Sequence, residues 1–130
     1  MTDHIEPGEQ YTYGSRMYAQ IPHWTKVLKN SPNTNQAVLQ VAHPDDYKLT
    51  DPPCLRHIDI RIKDNRLLFY PYFRSWDLWG GFPANLAGIA VLQKSMADDI
   101  GVETSPIIAS SKGLHVYGYV EELAKLRVGR

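Results

Sequence analysis

An α/β (α+β) fold, a mixed sheet flanked by helices, is what this sequence predicts, and three observations carry it. Ile58, Ile60 and Ile62 alternate with His57, Asp59 and Arg61, the two-residue period of a strand with one buried face. From Pro83 to Ile100 the apolar positions Leu86, Ile89, Ala90, Met96 and Ala97 fall instead at helical spacing, with Gly101 as the stop. Shorter apolar runs at Ala37 to Ala42, Ile107 to Ala109 and His115 to Tyr119 supply further strands, so both element types share one chain.

Taken in order, residues 1–10 are polar, contain Pro7 and Gly8, and show no periodicity, which predicts a flexible amino-terminal segment before a domain over 11–130. Ile21, Trp24, Val27 and Leu28 define a short amphipathic helix that Asn30, Ser31 and Pro32 end. After the strand Ala37 to Ala42, the prolines and acids from His43 to Pro53 predict a long polar loop leading into Cys54. The strand Leu55 to Ile62 then turns at Asp64-Asn65 into an antiparallel return strand, Leu67 to Phe73. Pro71 lacks a ladder donor, so it marks an edge or a bulge. The loop Ser110-Ser111-Lys112-Gly113 separates the last two strands, and Val120 to Leu126 reads as a final helix.

The bulk properties exclude several function classes. Fourteen basic residues balance fourteen acidic ones, so no overall field draws the chain to nucleic acid or to an anionic membrane. No apolar run approaches the roughly 20 residues of a membrane helix, and one cysteine cannot form an internal disulfide. A cytoplasmic protein is expected. The histidines show no ligand spacing, so no metal is expected either.

The hairpin carries the chemistry. Cys54 precedes its outgoing strand and Arg74 follows its returning one, which puts a thiol and a guanidinium at the same end of the sheet. Taken alone, a free cysteine behaves as a small buried hydrophobe; a positive charge beside it favours the thiolate, the nucleophilic form. Arg74 and Ser75 have the donors to share one phosphate, although an Arg74–Asp77 salt bridge at the strand end accounts for the same residues. Asn85 suits either a helix-start hydrogen bond or the edge of a pyrimidine. His115 and Tyr117, two apart on a strand, share one face.

Set in order, Tyr13-Gly14, the helix ending at Ser31-Pro32, Pro52-Pro53-Cys54, Arg74-Ser75-Trp76-Asp77, Gly81-Phe82-Pro83-Ala84-Asn85 and His115-Val116-Tyr117 form a pattern. It resembles thymidylate synthase, particularly the shorter archaeal-type members, from about Tyr11 to Leu126. The resemblance implies a thymidylate synthase-like sheet, truncated at the amino end, and a partial catalytic domain. It implies that Cys54 adds to C6 of dUMP, activating C5 toward the one-carbon unit of 5,10-methylenetetrahydrofolate, and that this folate supplies both the carbon and the hydride. Cys54, Arg74, Asp77 and Tyr13 would form the catalytic set. Arg74 and Ser75 would hold the phosphate, Asp77 the base and the folate pterin, Asn85 the uracil edge, and His115 with Tyr117 the deoxyribose 3′-hydroxyl.

A homodimer is implied as well, since members of this family borrow residues across their interface. Asn35 and Gln36 stand where the family lends an arginine pair to its partner's phosphate site. Each lost charge-assisted contact costs about 1.5–3 kcal/mol. Ala42 replaces the usual tryptophan, Leu55 follows the nucleophile where many bacterial members have histidine, and Phe73 replaces glutamine. The family's amino-terminal arginine loop and its water-organising glutamate are expected to have no counterpart. A catalytically impaired nucleotide-binding remnant and a relative of the pyrimidine nucleotide hydroxymethylases are the alternatives. The amide of Asn85 favours uracil over cytosine. A sheet protein with an inert Cys54 is the structural alternative.

Overall fold

The computed structural model describes residues 13–50, 53–77 and 81–115, with side chains described over 14–50, 53–75 and 86–113. Its centre is the hairpin of β2 (Leu55–Lys63) and β3 (Arg66–Phe73). Asp64 and Asn65 take φ values of 53° and 61° between the paired residues Lys63 and Arg66, the left-handed pair that a two-residue hairpin turn demands. Asn and Asp tolerate that region better than any residue but glycine.

The other elements assemble around this hairpin. Helices α1 (Tyr13–Met17) and α2 (Gln20–Asn30) precede the edge strand β1 (Val38–Gln40), which pairs antiparallel with β2. A two-residue β4 (Trp76–Asp77) leads into the long α3 (Gly81–Ile100), after which β5 (Glu103–Thr104) and β6 (Ser110–Ser111) both pair with β3 in parallel. A parallel neighbour requires a crossover, and α3 is that crossover. Finally β7 (Leu114–His115) pairs in parallel with β4 in a small second sheet.

The alternation read in β2 holds: Ile58, Ile60 and Ile62 are buried, while Asp59 and Arg61 are exposed. With Leu67 and Phe69 they meet Met17, Leu28, Ile89, Met96 and Ala97 from the three helices in one core. Each of these Ile, Leu, Phe and Met side chains, fully buried, contributes about 1.5–3 kcal/mol of transfer free energy. Ile21 and Trp24 of α2 pack against the same cluster, as their spacing predicts. Gly101, at φ 91°, ends α3 with its N–H donated to the Ala97 carbonyl at 2.8 Å.

Several expectations need correction. Ala90 is exposed, and the buried polar residue of α3 is Gln93, whose amide donates to the carbonyls of Leu67 and Ser105, both at 2.9 Å. It bridges β3 to the segment after β5, where the strand pairing lapses. Residues 107–109 are not a strand, although the Ile108 N–H reaches the Phe69 carbonyl at 3.1 Å; Ser110–Ser111, expected within the following loop, is the strand. The first strand is shorter than Ala37 to Ala42. Pro71 does not bulge. Leu67, Phe69 and Phe73 turn their carbonyls toward the 105–112 segment, so Pro71, in phase with them, has its missing N–H on that side and costs β2 no ladder bond.

The bulge lies in β2 instead, at Arg56: Leu55 pairs with Phe73, but His57 already pairs with Tyr72. The slip returns Leu55 to the core face, where it is fully buried. It also presents the Arg56 carbonyl to two donors, the N–H groups of Val41 at 3.0 Å and Ala42 at 2.8 Å. At the β1 edge, Gln20 imitates a strand: its amide nitrogen donates to the Gln40 carbonyl and its amide oxygen accepts the Gln40 N–H, both at 2.8 Å.

The loop after β1 holds a buried acid. Asp46, 3% exposed, opens a single 3-10 turn, Asp46–Lys48, and receives Arg16 Nη1 at 2.8 and 3.0 Å on its two oxygens and the His43 N–H at 2.8 Å. Burial pushes its carboxyl up, but the His43 N–H and the guanidinium groups of Arg16 and Arg56 outweigh burial and hold it below the ordinary aspartate value. The expected flexible segment 1–10, Tyr117 and the helix Val120 to Leu126 lie outside the described residues. Among the described residues no helix is long and apolar enough to cross a membrane.

Candidate active site

The rim of the hairpin opposite its turn brings Cys54, Arg74 and Ser75 together. Cys54 sits one residue before β2 and Arg74 one residue after β3, and the Arg74 N–H donates to the Cys54 carbonyl at 2.7 Å, closing the hairpin's open end. The same arginine turns its side chain back, so that Nη2 donates to Cys54 Sγ at 3.5 Å. Ser75 Oγ lies 3.9 Å from that sulfur. All three side chains are half-buried. The juxtaposition that the sequence predicts is therefore present: a guanidinium is placed to stabilise a thiolate by charge-assisted hydrogen bonding.

The remaining site residues are reached through the backbone. From Ser75 the chain enters β4, and Asp77 there pairs in register with His115 of β7. The approach to β7 passes directly beside the rim, where a Cβ placed on Gly113 would stand 3.7 Å from the Arg74 carbonyl oxygen and 3.9 Å from Ser75 Cβ. Residues 74, 75, 77 and 115 thus occupy one end of the fold. Asn85 lies in the first turns of α3, and Tyr13 opens α1. The side chains of Tyr13, Asp77, Asn85 and His115, and the whole of Tyr117, lie outside what is described.

Sequence reasoning missed Arg56. Its guanidinium donates from Nη1 to the carbonyl of Pro53 at 3.2 Å, so the peptide before the cysteine is held as well as the one after it. The pattern of β2 would place residue 56 in phase with Ile58, and only the bulge releases it. A charged residue at an inward-reading position was the available signal.

Clefts lie elsewhere among the described residues, two of them against the hairpin. One of about 820 Å³ sits at the turn end, lined by Lys29, Arg61, Lys63 and Asp64 among others, and one of about 340 Å³ lies on the outer sheet face by His57, Asp59, Tyr70 and Tyr72. Neither touches Cys54, so the chemistry is assigned to the rim by its functional groups rather than by cavity size. Among the described residues no group of three metal-ligating side chains converges.

Comparison with known proteins points the same way. A family model described as thymidylate synthase matches residues 6–130. A protein of Methanosarcina mazei named "Putative thymidylate synthase" is 34% identical over 127 residues, covering 89% of this chain and 58% of its own length. One of the same name from Methanothermobacter thermautotrophicus is 32% identical, over 85% of this chain and 52% of its own. The thymidylate synthase of Listeria monocytogenes is 27% identical, over 85% of this chain and 36% of its own. The chain thus spans little more than half the length of the more similar of these relatives.

Proposed function

From the premise that the chain belongs to the thymidylate synthase family, we propose that it methylates dUMP to dTMP with 5,10-methylenetetrahydrofolate, through a Cys54 thiolate adduct at C6 of the uracil ring. Addition of the sulfur to C6 turns C5 into a carbon nucleophile, which attacks the folate methylene; loss of the C5 proton and cleavage of the methylene–nitrogen bond release tetrahydrofolate, whose hydride then reduces the exocyclic methylene to methyl as the thiolate is expelled and dihydrofolate leaves. One observation carries this reading, the 3.5 Å contact of Arg74 Nη2 with Cys54 Sγ, with Ser75 Oγ beside it.

Arg74 then has two tasks, stabilising the thiolate and, with Ser75, accepting the nucleotide phosphate. Its five donors allow both. Asp77 contacts base and pterin, Asn85 reads the uracil edge, His115 and Tyr117 hold the 3′-hydroxyl, and Tyr13 joins the catalytic set. The chain works as a cytoplasmic homodimer. Supporting this is the sheet face opposite the helices, which carries the stacked pair His57 and Tyr72, ring centroids 5.6 Å apart, and a half-buried Tyr70.

Incubation with dUMP and methylenetetrahydrofolate, followed by dihydrofolate absorbance and dTMP analysis, tests the reaction; a folded protein that forms no dTMP defeats it. A second reading, nucleotide binding without turnover, is favoured by the exposed Asn35 and Gln36 in place of the arginine pair. Calorimetric titration with dUMP separates the two, and a flat titration removes both.

A further inference from the structure

The cluster around Asp46 lies outside the residues assigned to substrate, yet its contacts end at the nucleophile. Arg16 Nη1 donates to Asp46 Oδ1 at 2.8 Å and Oδ2 at 3.0 Å, and to the Val41 carbonyl at 2.9 Å, so α1, the end of β1 and the following loop meet at one carboxylate. The carboxylate also accepts the His43 N–H at 2.8 Å. Arg56 Nη1 stands 3.9 Å from Asp46 Oδ2 and donates at 3.2 Å to the carbonyl of Pro53, the residue before Cys54. Beyond Cys54, its own carbonyl accepts the Arg74 N–H at 2.7 Å.

Such a cluster is an expensive way to hold a loop. Removing a carboxylate from water costs several kcal/mol, and apolar packing of the same volume often serves stability as well or better. What the charges add is direction: one guanidinium nitrogen, donating to both carboxylate oxygens and to a backbone carbonyl, fixes orientation where an apolar contact does not. We infer that Asp46, with Arg16 and Arg56, is a positioning residue for Cys54, tying α1 and the loop to the β2 bulge and so fixing the Pro53–Cys54 peptide at the sheet rim. The inference rests on the reading of Cys54 as the nucleophile.

Cys54 is the only cysteine, so alkylation by iodoacetamide reports on this thiol alone. The full chain and its variants are compared at neutral pH, well below each melting temperature. In Asp46→Asn the thiol loses its fixed place beside Arg74, and alkylation slows about tenfold. Arg56→Gln, which frees the Pro53 carbonyl and removes the more distant of the acid's two guanidinium partners while leaving Arg16 in place, slows it less, and Arg56→Lys, which keeps a charged donor there, recovers most of that loss. Ile62→Val, in the core at the turn end, lowers the melting temperature and leaves the rate unchanged.

An unchanged or faster rate in folded Asp46→Asn and Arg56→Gln overturns the inference; should Asp46→Asn not fold, Arg56→Gln decides alone. Alkylation involves neither dUMP nor folate. A slowed rate beside a wild-type chain that makes no dTMP keeps the positioning role and removes the proposed reaction. An unmoved rate beside an active wild type removes the positioning role alone.

Discussion

At the turn end of the β2–β3 hairpin, Asp64 and Asn65 take left-handed φ values and every residue from His57 to Lys63 faces a partner in unbroken register. At the rim, Arg56 drops out of that register, a buried acid gathers two arginines, and the strand ends are tied by Arg74, whose N–H donates to the Cys54 carbonyl and whose side chain donates to the Cys54 sulfur. The turn is specified by two adjacent residues and would form in any hairpin that carried them. The rim needs α1, the loop before β2 and β3 all in place. Local sequence builds the regular end of the sheet, and distant charges build the end that bears Cys54.

The largest expected effect separates the two ends by chemistry. Cys54→Ala removes the proposed nucleophile, and dTMP formation should fall on the order of 10⁴-fold or more while the thermal transition barely moves. Residual activity near that of the wild type would place the reacting group elsewhere.

Core substitutions come next. Leu55 at the rim and Leu67 near the turn are both fully buried, so either change to alanine should cost about 2–5 kcal/mol in urea denaturation. Leu55→Ala should also slow Cys54 alkylation, and Leu67→Ala should not. Equal effects on the thiol would erase the distinction between the ends.

Asp46→Asn should cost about 2–4 kcal/mol at neutral pH, since it leaves Arg16 and Arg56 facing a neutral amide. The carboxyl is held below its ordinary value when folded, so the unfolded chain takes up this proton first as pH falls. Its contribution is complete above the unfolded value of about 3.9 and is lost as pH drops through the lower folded value. Melting curves of wild type and Asp46→Asn should therefore diverge at neutral pH and converge in acid; a constant gap would mean that the charge is irrelevant. The smallest effect belongs to the turn. Asn65→Gly should stabilise by about 0.5–1 kcal/mol by relieving a left-handed position, with alkylation of Cys54 unaltered.

What could be read in the sequence follows the same division. The isoleucine alternation, the Asp64-Asn65 turn and the Gly101 stop are local signals with one physical meaning each, and all three appear in the structure. The meeting of Cys54 and Arg74 was legible too, because hairpin geometry alone forces strand ends together. Asp46 was not. An acid beside Pro44 and Asp45 reads as a solvated loop until a partner thirty residues earlier, Arg16, supplies the reason for its burial. Ser110–Ser111 and Glu103–Thr104 were missed because a two-residue strand has no period of its own and exists only where β3 offers free carbonyls. Gln93 broke the apolar stripe of α3, and the two carbonyls that justify it lie on other elements.

The amide of Gln20 has one more effect. By occupying both backbone groups of Gln40, it closes the outer border of β1 at that residue to a foreign strand that would extend the sheet sideways. A strand arriving at this border finds its ladder interrupted at Gln40, which disfavours stacking of copies in that direction.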